Sequence, residues 1–124
     1  MDDVFSPVDE LRLRENASRG AAILDEEVSE WHWEVKLTDL DMKDPTKCIA
    51  GQIGWERMRQ ITTRLQVLPS ELGLVRLQYN SPNYDWEDTY LEEYGILKDQ
   101  WECEIRRRRQ VDGTREYGAQ KQSR

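Results

Sequence analysis

Met42-Lys43-Asp44-Pro45-Thr46-Lys47-Cys48-Ile49-Ala50-Gly51-Gln52-Ile53-Gly54 is the stretch whose reading decides the fold. Asp44-Pro45 is a helix-start signal. The aspartate oxygen can accept from free first-turn amides, and proline at the first helical position loses no hydrogen bond. Cys48, Ile49, Gln52 and Ile53 recur at helical spacing. Ala50, Gly51 and Gly54 are small and let a neighbouring element come close. The stretch therefore predicts a buried central helix over 45–53, with the flanking helices packed on it.

Working outward toward the N-terminus, residues 1–6 read as a disordered end. Ser6-Pro7 opens the first helix, with serine as cap and Asp9 and Glu10 in the first turn. Leu13, Ala17, Ala21, Leu24, Val28 and Trp31 then step by three or four along one face. Arg12, Glu15, Arg19, Glu26 and Glu30 fall on the other. Gly20 weakens this helix, since glycine costs about 1 kcal/mol against alanine in a helix interior. The helix is expected to run to about Trp33. An extended connector follows, pinned to the core by Leu37, Leu40 and Met42, with Asp39 and Asp41 in water.

Toward the C-terminus, Gly54 breaks the path. A helix is expected over Trp55–Leu68, with Met58, Ile61, Leu65 and Leu68 on its buried stripe. Pro69 ends it, and Pro69-Ser70-Glu71-Leu72-Gly73 reads as a tight turn. Val75, Leu77 and Tyr79 alternate with Arg76 and Gln78, the only strand-like pattern, and a lone strand is marginal without a partner. Asn80-Ser81-Pro82-Asn83 is a loop by turn chemistry. The last helix is expected from Asp85 to about Arg109, carrying Tyr90, Tyr94, Leu97, Trp101 and Ile105. Val111-Asp112-Gly113 ends order, leaving 112–124 as a flexible basic tail. The expected architecture is mainly α: a single helical domain over 7–111 with three principal helices and at most one short strand or hairpin. The first and last helices sandwich the 45–53 helix.

Composition narrows the function classes. The chain has 124 residues, enough for one core. Its apolar fraction of 37% is low, against the usual ~45–50%. Five Trp and five Tyr compensate with large buried area per residue. The net charge is −7, unevenly placed: residues 105–124 hold seven Lys/Arg against two Asp/Glu, or +5, so residues 1–104 carry −12. An acidic body argues against non-specific nucleic-acid binding by the body. No apolar run approaches the ~20 residues of a membrane helix. With no signal segment in the sequence and two cysteines, Cys48 and Cys103, both on predicted apolar stripes, the expectation is a cytoplasmic protein with reduced, buried thiols.

No catalytic signature emerges. The lone histidine, His32, sits between Trp31 and Trp33 and reads as partly exposed; with Cys48 and Cys103 it lacks metal-ligand spacing. Cys48 with His32 and an acid is the one arrangement resembling a nucleophile and its base, yet Cys48 falls on an apolar face. The acidic pairs Asp25-Glu26-Glu27, Asp39/Asp41, Glu87-Asp88 and Glu92-Glu93 lie on predicted wet faces. No glycine-rich phosphate loop is present. No cofactor or metal is expected. The candidate partner-binding residues are Tyr79, Tyr84 and Trp86, aromatic anchors around the 80–84 loop, and Arg106, Arg107, Arg108 and Arg109, which could meet phosphates or an acidic partner.

A family likeness rests on Ala21-Ala22-Ile23-Leu24-Asp25-Glu26, Trp31, Leu37-Thr38-Asp39-Leu40-Asp41-Met42, Cys48-Ile49-Ala50-Gly51-Gln52 and Tyr94-x-x-Leu97-x-x-x-Trp101-x-x-x-Ile105. This set resembles a pattern in small proteins of actinobacteria and their phages. There the segments look like Ala-Leu-Leu-Asp-Glu, Pro-Gly-Trp, Ile-Asp-Leu-x-x-Leu-Asp-Met and Cys-x-Leu-Gly-Gln. The likeness spans about residues 20–105. Ser29-Glu30 departs from the Pro-Gly of the pattern, and Gly54-Trp55-Glu56-Arg57 replaces a glycine–aromatic segment. The resemblance implies an origin and no mechanism. The functional expectation is a non-enzymatic phage-type protein that binds a host or phage protein. A nucleic-acid accessory protein using Arg106–Arg109 and a small enzyme centred on Cys48 are the alternatives. The surplus aromatic surface and the odd strand are compatible with a homodimer.

Overall fold

The computed structural model describes the backbone of residues 9–75 and 86–123 and the side chains of 9–75 and 91–111. It is mainly α-helical, and the described residues contain no strand. In order the elements are α1 (Glu10–Glu27), α2 (Trp31–Glu34), α3 (Ile49–Ile53), α4 (Trp55–Leu65), a 3₁₀ turn (Pro69–Leu72) and α5 (Trp86–Ser123). The three principal helices are α1, α4 and α5. Val75 forms a bend, and the rest of the strand-like 75–79 stretch lies outside the described residues, as do Ser6, Pro7 and the whole 1–6 end.

Helix α1 is capped by Asp9, whose carboxylate accepts from the Arg12 amide at 3.0 Å. This replaces the expected start at Ser6-Pro7. Its apolar stripe is realised in full: Leu13, Ala17, Ala21, Leu24, Val28 and Trp31 are all buried. The helix stops at Glu27, however, and does not reach Trp33. Val28 is extended and Glu30 takes a left-handed conformation, so Trp31 begins a separate four-residue helix. The stripe survives because the break keeps Trp31 on the same side. Two amides bond back across the kink, Val28 to Leu24 and Trp31 to Val28.

The 42–54 stretch is not one helix, and only part of it is buried: Met42, Cys48, Ile49, Ala50 and Ile53 are inside, whereas Lys43, Pro45, Thr46 and Lys47 are exposed. The Asp44 carboxylate accepts from the Thr46 amide and hydroxyl at 2.8 and 2.7 Å, an Asx turn. Helix α3 begins only at Ile49, capped by Cys48, whose sulfur accepts from the Gly51 amide at 3.3 Å. Local side-chain bonding at Asp44 competes with helix propagation and wins here. Gly51 does permit close approach, since a methyl group there would lie 2.1 Å from the Pro45 carbonyl oxygen. Gly54, at φ 123°, turns the chain into α4. That helix ends at Leu65, where Gln66 is left-handed, three residues short of the expected Leu68.

The two long helices do not sandwich α3; α1 and α5 pack directly on each other. They run parallel: Arg14 pairs with Asp99, Ser18 with Glu104 and Asp25 with Arg108, so both ascend together. The chain between them must therefore travel back the length of the pair. The 3₁₀ turn packs on α1 along this return, and α2 and α3 close the far end. Leu97, Trp101 and Ile105 of α5 are fully buried, and Tyr94 is half-buried. The side chain of Tyr90 lies outside the described residues. Past Arg109 the helix continues to Ser123, beyond the stop expected at Val111-Asp112-Gly113. Gly113 and Gly118 each weaken a helix without ending it, and no proline follows.

Two glycines make the α1–turn–α5 contact possible. A methyl group at Gly20 would lie 2.2 Å from the Leu72 carbonyl oxygen and 3.1 Å from the Trp101 ring. Gly73, at φ 68°, sits against Ala17, where a methyl group would lie 2.5 Å from the Ala17 Cα. On α5, by contrast, Gly95 faces open space. Gly20→Ala is expected to destabilise the protein by about 2 kcal/mol through overpacking, and Gly95→Ala to stabilise it by about 0.5–1 kcal/mol through helix propensity. Urea midpoints at unchanged slope read both signs.

Candidate functional site

Among the described residues a concavity lies between α4 and the segment that returns along it. Trp55, Met58, Arg59 and Thr62 share one face of α4 at helical spacing, and Pro69 and Leu74 form the opposite wall. The groove encloses about 190 Å³ and is mainly apolar. Met58 and Leu74 are buried at its base, whereas Trp55 is 39% exposed. The Trp55 indole donates to the Pro45 carbonyl at 2.7 Å, which fixes the ring. The left-handed Gln66 reverses the chain, and the Val67 amide bonds back to the Thr62 carbonyl at 3.0 Å. Glu71 accepts from the Leu68 amide at 2.7 Å and holds the turn. Leu65 and Leu68, expected on the buried stripe, are instead exposed, Leu68 by 63%. The buried face of α4 is Met58, Ile61 and Thr62, and Leu68 lies beyond the helix end.

The arginine run divides. Arg106 and Arg107 are exposed, although Arg107 also pairs with Glu104. Arg108 turns inward and bridges Asp25 of α1 at 2.9 Å and Glu104 of its own helix at 2.7 Å. Its guanidinium lies 5.7 Å from the centre of the Trp31 ring, a cation–π distance. Arg109 donates from Nε to the His32 carbonyl at 2.8 Å and from a terminal nitrogen to the Val35 carbonyl. It also covers the Trp33 ring at 5.1 Å. These carbonyls belong to the C-terminal end of α2, which a helix leaves without intrahelical partners. Half of the run therefore closes the fold. Tyr79 and Tyr84 lie outside the described residues, as does the side chain of Trp86.

Glu104 sits at the centre of this network and is 2% exposed. It accepts from Ser18, Gln100, Arg107 and Arg108. Burial alone would raise its pKa, but the hydrogen bonds from Ser18, Arg108 and Gln100 outweigh it, and the carboxyl is held below its ordinary range. Asp25 behaves alike: burial pushes upward, and the bonds from Arg108 and the Trp31 indole push it further down. Glu93, placed on a wet face by the sequence, is fully buried. Its position one turn before Leu97 puts it on the packed side of α5.

The two thiols differ. Cys48 is buried, caps α3 and has its pKa raised chiefly by burial. That is the opposite of what thiolate nucleophilicity requires. Cys103, expected on the apolar stripe, is exposed on α5, since the buried stripe there is Leu97, Trp101 and Ile105. His32 is buried, not partly exposed, edge-on to Trp31 at 5.9 Å and tilted against Trp33 at 5.7 Å. Among the described residues no three His, Cys, Asp or Glu side chains converge as a metal-ligand set. No helix among them is long and apolar enough to cross a membrane. Comparison with known proteins finds no matching family model, no matching curated protein and no matching solved structure.

Two measurements check this assignment. In the folded protein Cys103 is expected to react with a thiol reagent at once and Cys48 only after unfolding; simultaneous reaction of both would contradict the burial of Cys48. The folded-state pKa values of Glu104 and Asp25 lie below their unfolded ones. Their contribution is thus complete near neutrality and is lost as pH falls below about 4. Glu104→Gln is expected to cost about 3 kcal/mol at neutral pH by stripping the arginines of a buried partner, and to flatten the acid limb of a urea-midpoint titration.

Proposed function

We propose that this chain is a non-enzymatic small protein of phage type that acts by binding a host or phage protein in the host cytoplasm. The observation that carries the reading is the α4 groove with its exposed rim. Trp55 lines the apolar hollow and is itself exposed, and Leu65 and Leu68, which lie in the chain between its lining residues Thr62 and Pro69, are exposed as well. Large aromatic and aliphatic side chains around a pocket are what protein interfaces use as anchors. The phage-type origin rests on the motif resemblance alone, with no family or curated-protein match beside it.

The alternatives have less to stand on. For nucleic acid, Arg106 and Arg107 remain outward, while Arg108 and Arg109 are spent on Asp25, Glu104 and the end of α2. For an enzyme centred on Cys48, the thiol would have to be exposed and acidic, and burial drives it the other way.

Affinity capture from host lysate, with wild-type protein and Leu68→Asp as baits, tests the proposal. Leu68 is 63% exposed, so the substitution leaves the fold intact, as thermal unfolding of the bait verifies. The expected outcome is a specific partner retained by wild type and lost with Leu68→Asp. An unchanged set of captured proteins, or no partner at all, would overturn it.

A further inference from the structure

We draw no further inference here: the strongest candidate, the apolar groove between α4 and the 3₁₀ turn, belongs to the site already described, the arginines of α4 beside it are already paired with Glu27, Glu34 and Glu56, and nothing in the structure shows what covers it.

Discussion

Trp101 is where the fold closes. Its indole is fully buried and donates to the Gly73 carbonyl at 2.8 Å. Its ring meets Trp31 edge-on, with centroids 5.7 Å apart at 88°, the geometry aromatic quadrupoles favour. Gly20 of α1 leaves the space into which the ring reaches. One side chain of α5 thus ties together α1, α2 and the end of the 3₁₀ turn. Parallel neighbours such as α1 and α5 have no short loop to hold them in register. Here the register comes from Trp101 on one side and the Glu104–Arg108–Asp25 network on the other.

That arrangement explains why a chain poor in apolar residues can build a core. The tryptophans and small residues interlock, and each buried indole N–H finds an acceptor: Gly73 for Trp101 and Asp25 for Trp31. A buried donor left unpaired would cost about 1–3 kcal/mol. The buried Asn16 follows the same rule, donating to the Ser70 carbonyl at 3.1 Å and so fixing the turn against α1. The return segment is held by polar bonds as much as by packing. From this segment Pro69 and Leu74 form one wall of the candidate groove.

The periodic parts of this fold were legible in the sequence. The Leu13–Trp31 stripe and the Leu97, Trp101, Ile105 stripe needed only helical spacing, since apolar residues at that spacing have one place to go. Gly54 as a break and Leu40 and Met42 as pins were readable for the same reason. The rest depended on tertiary partners. Nothing local distinguishes Glu104 from the exposed carboxylates beside it until Ser18 and Arg108 are brought alongside. Gly20 reads as a weak point of a helix, yet it is the seat for Trp101. Asp44-Pro45 signals a helix start, but the Asp44 side chain serves a turn. The exposure of Leu65 and Leu68 was hidden because both fit a longer helix whose end the sequence does not mark before Pro69. A left-handed Gln66 was the missing signal, and glutamine seldom announces that conformation.

Trp101, through its indole N–H and its fit against Gly20, holds the parallel helices in register. Equilibrium unfolding of Trp101→Phe tests it most directly. The substitution keeps an aromatic ring but removes the donor and leaves the Gly73 carbonyl buried and unmet. The expected loss is about 3 kcal/mol. A loss below about 1 kcal/mol, within the range of an ordinary surface change, would contradict it.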